Sequence, residues 1–177
     1  MMKIDFEKFV EYHNNPNKEY SVKELEEIRA NEFAMHLFCP TMYVLEEFLA
    51  LNIDFDNIYN LSNYERLRFY RILQKRFLVP MDVITIKIDE LCDKYKDSDI
   101  RIEDIILKDF FYLYDNENNK ISLNEALTKC FPKAHEKLKK YIKEKYGVES
   151  YTKIKKCKII FKKNKHLNNW KKHIIIV

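Results

Sequence analysis

Apolar residues recur every three or four positions over much of the chain, a pattern typical of amphipathic helices. Polar residues and prolines stand between these stretches and mark where helices begin or end. Three beginnings share one chemistry, in which a serine hydroxyl accepts from the N–H of a glutamate three residues later and that glutamate reaches back to the serine. The three pairs are Ser21 with Glu24, Ser62 with Glu65, and Ser122 with Glu125.

The pattern predicts helices over 4–13, 22–39, 41–51, 63–77 and 81–93. Thr41 is expected to cap the third of these, directly after Pro40. In the second, the apolar residues are expected to spread over one broad face, formed by Leu25, Ile28, Phe33, Leu37 and Phe38.

The later part of the chain predicts a mixture of helix and strand. A helix that starts at Ser122 should be interrupted near Pro132, resume through Lys145 and end at Gly147. Apolar runs predict strands over 110–114, 151–161 and 172–177. The fold class is therefore α+β and mainly α, and the polar stretch 94–99 predicts domains over 1–94 and 95–177.

The composition of the chain argues against several kinds of site and fold. A single glycine and four prolines argue against glycine-dependent phosphate loops and loop-rich barrels. The four cysteines lack a Cys-x-x-Cys pair, and no apolar signal segment opens the chain, which favours a reducing cytoplasm. The apolar runs are too short to span a membrane. The many Lys, Ile, Asn and Tyr residues suggest a bacterium with AT-rich DNA, or its phage.

Charge is divided unevenly along the chain. Residues 151–177 hold nine lysines and no acid, so the other 150 residues carry 4 − 9 = −5. With Trp170 between them, these lysines are a candidate site for nucleic acid or an acidic protein. The alternative is a solvated strand edge, where lysines prevent sheet-to-sheet aggregation. The lysines are Lys153, Lys155, Lys156, Lys158, Lys162, Lys163, Lys165, Lys171 and Lys172.

One segment carries a more specific signal. Residues 27–40 read Glu-Ile-Arg-Ala-Asn-Glu-Phe-Ala-Met-His-Leu-Phe-Cys-Pro, a Glu-x-x-Ala-Asn helix that stops at proline. This segment resembles the Glu-x-x-Ala-Asn-x-Phe-Ala helix of the ImmA/IrrE family of zinc metallopeptidase-like proteins. Residues 73–88 are similar to the helix-turn-helix-like segment that follows in that family, and the resemblance covers about 21–91.

The resemblance implies a zincin-like helical remnant with one metal-ligand position, which maps onto Glu27. Such peptidases need two histidines from a His-Glu-x-x-His helix, and that sequence is absent here. At the nearest position, Phe6-Glu7-Lys8-Phe9-Val10, a glutamate remains and both histidines are apolar residues. We therefore expect no cofactor and no catalytic residue. The alternative is a zinc endopeptidase whose histidine segment lies outside this chain.

Two other sets of residues are weaker candidates. His13 and His36 are expected to be partly buried rather than metal ligands, since His36 lies nine residues after Glu27, on another helix face. Residues 81–93 could present Thr85, Lys87 and Asp89 to a DNA groove, although a helix pair that only packs is favoured.

The resemblance predicts a cytoplasmic regulatory protein of a phage or mobile element that binds rather than hydrolyses. Its expected partner is a repressor, a host defence protein or a toxin–antitoxin protein. The second alternative is a nucleic-acid-binding protein that uses the lysine-rich tail.

Overall fold

A computed structural model describes residues 6–116 and 122–147, and the side chains of 6–112 and 122–147. Eight α-helices and one short 3-10 helix lie in these ranges, and no strand does. The helices are α1 (Glu7–Asn14), α2 (Val22–Phe38), α3 (Thr41–Leu51), α4 (Asn63–Phe77), α5 (Met81–Tyr95), α6 (Ile102–Asn116), α7 (Leu123–Cys130) and α8 (His135–Tyr146). The mainly helical class is confirmed, and the predicted strands over 151–161 and 172–177 lie outside the described residues.

The predicted helix beginnings are confirmed where the serine–glutamate pairs stand. Ser21 and Ser62 each form both halves of the reciprocal cap. Ser122 accepts from the N–H of Glu125 at 3.2 Å. Gly147 ends α8 with a φ of 59°, a left-handed conformation that glycine adopts without steric cost. These local signals place helix ends to within a residue or two.

The predicted strand over 110–114 is wrong, because these residues belong to α6. Ile102, Ile106 and Phe110 lie one helical turn apart and are all buried, so the apolar run continues a helical face. A short run of apolar residues does not by itself distinguish a buried strand from a buried helix. The expectation that Thr41 caps α3 is also wrong, since Pro40 occupies the N-cap position.

The chain divides into two compact units, 1–113 and 114–177. The predicted boundary near residue 94 stays a prediction. The core of the first unit contains Phe48, whose ring meets that of Phe69 edge-on at 4.9 Å between centroids. In the second unit α7 packs against α8, with Leu127 and Leu138 fully buried.

An ion-pair cluster joins α4 to α3 within the first unit. Arg76 pairs with Glu46 and Glu47, with Nη1 2.6 Å from Oε1 of Glu47, and Nη1 also donates to the Tyr43 carbonyl. Both carboxylates are buried. Burial lowers the pKa of Arg76, but the two carboxylates raise it by more, so the guanidinium stays charged. The cluster fixes α4 against α3, with one face of α4 turned to the core.

None of the helices among the described residues combines the length and the apolar character that crossing a membrane requires.

Candidate functional site: the exposed face of α2

Glu27, which the resemblance predicts to hold a metal-ligand position, lies exposed on α2. Its electrostatic neighbour is Lys8 of α1, whose pKa is raised chiefly by a hydrogen bond to Glu24, with Nζ 3.1 Å from Oε1, and to a smaller extent by Glu27. Three or more His, Cys, Asp or Glu side chains placed to hold one metal ion are not found in the described part of the chain. The arrangement around Glu27 is that of solvated charges between two packed helices.

The α1 segment that aligns with the histidine helix packs on α2 through apolar residues. Phe9 is fully buried and Phe6, at the N-cap position, is nearly so. Glu7, which holds the position of the catalytic glutamate in that alignment, is exposed. This segment of α1 therefore serves to pack α1 against α2.

The other predicted binding residues lie outside the described residues. They are the tail lysines Lys153, Lys155, Lys156, Lys158, Lys162, Lys163, Lys165, Lys171 and Lys172, together with Trp170.

The DNA-binding alternative for residues 81–93 places Lys87 on the outward face of α5, and the structure contradicts that placement. Its side chain is buried, with the residue 2% exposed, because α5 is covered on the side where Lys87 stands. Its Nζ lies 3.0 Å from Nδ1 of His36 on α2. Desolvation of the ring is the largest cause that lowers the pKa of His36 to about 4, and the charges of Lys87 and Lys94 contribute to the same shift. His36 is therefore neutral near pH 7, and its Nδ1 can accept a hydrogen bond from Nζ of Lys87.

His13 forms a second pair at the contact of α1 with α5. Its Nδ1 donates to the Phe9 carbonyl at 3.0 Å, and its Nε2 lies 3.6 Å from Oε1 of Glu90. Burial raises the pKa of Glu90, while Lys87 and His13 oppose the shift. Each histidine thus has its own partner on α5. His13 is half-buried as expected, whereas the residue His36 as a whole is exposed. Together the two pairs fasten α1 and α2 to α5.

Cys39 and Cys92 are both buried free thiols. Burial raises the pKa of Cys39 to about 12 and that of Cys92 to about 11, so both thiols are protonated near neutral pH.

The face of α2 that points away from the core carries the feature that sequence reasoning missed. The buried face consists of Ile28, Asn31 and Met35. Val22, Phe33 and Leu37 are 75%, 69% and 62% exposed. At about 100° per residue, these three lie roughly 140–200° around the helix from Met35. The broad single face predicted for α2 is therefore wrong, and its apolar residues divide between two opposite sides.

We define Val22, Phe33 and Leu37 as the α2 stripe. Phe33 and Leu37 stand one turn apart and form a continuous apolar area, with Ala30 beside them. Glu26, also exposed, lies on the same side between Val22 and Phe33. A helix that is apolar on two opposite sides is normally covered on both. The signal in the sequence was the spacing of residues 22, 33 and 37, which is out of phase with Ile28 and Met35.

Comparisons of the chain with protein-family models, with curated proteins and with solved structures found no match.

Proposed function

We propose that this protein is a non-catalytic regulatory protein that works by binding another protein through the α2 stripe. The observation that carries the proposal is the exposure of Val22, Phe33 and Leu37 on the side of α2 opposite its buried face. Full burial of one such side chain contributes roughly 1.5–3 kcal/mol, so two or three of them are enough to anchor an interface.

The chemistry of the stripe describes its partner. An apolar helix face of this length fits a hydrophobic groove or another apolar helix face. Glu26 lies among the members of the stripe, and the exposed Lys23 and Arg29 lie on either side of it, so we expect charges of both signs at the edge of the partner's groove. Residues 1–150 carry −5 in total, so charge disfavours contact between these parts of two copies.

The regulatory part of the proposal rests on the resemblance to ImmA/IrrE proteins over residues 21–91. The α2 stripe lies on the helix that carries the Glu-x-x-Ala-Asn sequence, and the chain contains no His-Glu-x-x-His. We propose that this helix recognises a protein where a peptidase would hold zinc. The partner is then a repressor, a host defence protein or a toxin–antitoxin protein met by a phage or mobile element in the cytoplasm.

The rival function is a zinc endopeptidase whose histidine segment lies outside this chain, and an in-frame His-Glu-x-x-His encoded in the DNA upstream of Met1 would favour the rival. Zinc addition tests separately whether this chain holds a metal site of its own. Under our proposal, the melting temperature of the purified protein stays the same with and without zinc. A rise that depends on zinc and disappears in Glu27→Gln would instead identify Glu27 as a ligand.

The direct test of the proposal uses the double variant Phe33→Ser/Leu37→Ser. The tagged chain is used to capture partners from its native host, mass spectrometry identifies them, and each is purified. Isothermal titration calorimetry then measures the affinity of each for the wild type and for the variant. We expect a loss of at least tenfold, which corresponds to about 1.4 kcal/mol.

The matched control is Leu51→Ser/Tyr112→Ser, which removes two apolar side chains that are exposed on other helices. It should bind as the wild type does, and circular dichroism should show that both double variants keep their helix content. Equal affinity for wild type and Phe33→Ser/Leu37→Ser would overturn the proposal. So would a self-association, seen by analytical ultracentrifugation, that the double variant abolishes, since the occupant would then be a second copy.

A further inference from the structure

A second outward face, on α4, has a different chemistry and goes beyond the function proposed above. The core side of α4 consists of Phe69, Tyr70 and Leu73. At about 100° per residue, four other residues lie roughly 160–220° around the helix from Leu73, and all four are exposed. They are Tyr64, Arg68, Arg71 and Lys75, which we define as the α4 stripe.

The cations of the α4 stripe have no partner within the described residues. Arg68, Arg71 and Lys75 make no ion pair or hydrogen bond there, in contrast to Arg76 on the same helix, which is held by Glu46 and Glu47. No acidic residue lies on the α4 stripe. The one acid among residues 64–75 is Glu65, and its carboxylate is hydrogen-bonded to Ser62 in the helix cap. Three unpaired cations therefore stand in line over about two helical turns.

A shallow, open groove accompanies these charges. It has a volume of about 270 Å³ and is formed by side chains of α4 alone, namely Leu67, Ile72 and the members of the stripe. Tyr64, 75% exposed, stands at its N-terminal end with its ring open to solvent. The surface thus combines cations, an open aromatic ring and an apolar floor.

We propose that the α4 stripe binds single-stranded nucleic acid. Arg68, Arg71 and Lys75 would contact successive phosphates. A planar guanidinium group can donate two parallel hydrogen bonds to the oxygens of one phosphate. A base would stack on the ring of Tyr64 and rest against Leu67.

A single strand fits this surface better than a duplex or an acidic protein does. Base faces are accessible for stacking only where the strand is unpaired, and a duplex would leave Tyr64 and the apolar floor unused. The stripe spans about 16 Å from Tyr64 to Lys75, enough for a few nucleotides of one strand. Carboxylates of an acidic protein would satisfy the arginines but not the exposed ring.

The test measures fluorescence anisotropy of a labelled oligothymidylate of about 12 nucleotides with the full chain at low salt. Arg68→Gln/Arg71→Gln should weaken binding at least tenfold. Because each phosphate contact on a single strand contributes about −0.7 to the slope of log K against log salt, the same variant should reduce that slope by about 1.4. Tyr64→Ala should weaken binding by about tenfold and leave the slope unchanged.

The matched control is Lys137→Gln/Lys140→Gln, which removes the same net charge from two positions of α8. If the control weakens binding as much as Arg68→Gln/Arg71→Gln does, the effect is one of bulk charge and the proposal is wrong. Unchanged affinity in Arg68→Gln/Arg71→Gln contradicts it as well. Tighter binding of a duplex or of polyglutamate than of the oligothymidylate would assign the stripe to another class of partner and overturn the proposal.

Discussion

Helices α2 and α4 are built in the same way and differ in what they show to solvent. Each begins at a serine–glutamate cap, and each buries three residues on one side. The opposite side is apolar on α2 and basic with an exposed tyrosine on α4. In both helices the caps and the buried residues determine where the helix lies, whereas the outward residues are free to determine what it binds.

Among the inward and outward residues, we expect the largest difference in contribution to stability between two arginines of α4. Arg76→Ala leaves two buried carboxylates without their counter-charge and should lower the free energy of unfolding by about 3–5 kcal/mol. Arg71→Ala on the outward side should change it by no more than about 0.5 kcal/mol. Urea denaturation followed by circular dichroism measures both values. Equal effects of the two substitutions would contradict the assignment of Arg76 to the core side.

On α2 the same contrast should appear between two apolar residues two positions apart. Met35 is fully buried, and Met35→Ala should destabilise the protein by about 2–5 kcal/mol through lost contacts and the cavity left behind. Leu37→Ala should stay within about 0.5 kcal/mol of the wild type. If Leu37→Ala costs as much as Met35→Ala, the α2 stripe is part of the core and does not face solvent.

Removal of the serine cap from α2 or from α4 should lower stability equally, and by less than the core substitutions do. Ser21→Ala and Ser62→Ala each remove a hydroxyl that accepts from the third helical N–H, at 3.3 Å and 3.2 Å. Each should cost about 1 kcal/mol in the free energy of unfolding, as measured by thermal denaturation. A cost at one site and none at the other would show that the two helices do not depend on their caps alike.

The smallest expected effect is the pH dependence of stability that His36 causes at the contact of α2 with α5. The pKa of His36 is lowered to about 4, so between pH 6.5 and pH 4 the unfolded chain binds a proton that the folded chain does not. His36 therefore makes stability fall as the pH falls through that window. Glu90 acts in the opposite direction, because its raised pKa lets the folded chain hold a proton that the unfolded chain releases.

The comparison with His36→Gln isolates the histidine, since Glu90, Lys87, Lys94 and His13 are kept. As the pH is lowered from 7 to 5, we expect the melting temperature of the wild type to fall relative to that of His36→Gln. A difference that is independent of pH would mean that His36 is not held neutral beside Lys87.

The sequence predicted helix ends well because caps are local. Ser21, Ser62 and Gly147 act on backbone groups within a few residues of themselves, and their positions were read without knowing the fold. The run 110–114 was misread because five apolar residues in a row satisfy either a buried strand or a buried helix. The structure resolves it through Ile102 and Ile106, which continue the same face one turn earlier.

The binding surfaces were harder to predict because exposure depends on which helices cover one another. Lys87 looks outward in an isolated α5 and is buried in the folded protein. On α2 the buried face includes Asn31, a polar residue that a search for apolar periodicity passes over, and it excludes Phe33. Counting apolar positions therefore gave the helix correctly and its orientation wrongly. The mapping of a metal position onto Glu27 stays a prediction of the resemblance.

The most direct test of the two faces is a crossed binding measurement with one pair of variants. The captured partner protein and the oligothymidylate are each titrated against Phe33→Ser/Leu37→Ser and Arg68→Gln/Arg71→Gln. We expect the α2 variant to lose only the protein partner and the α4 variant to lose only the oligonucleotide, each by at least tenfold. Loss of both ligands in either variant, or of neither ligand in both, would contradict separate recognition by the two faces.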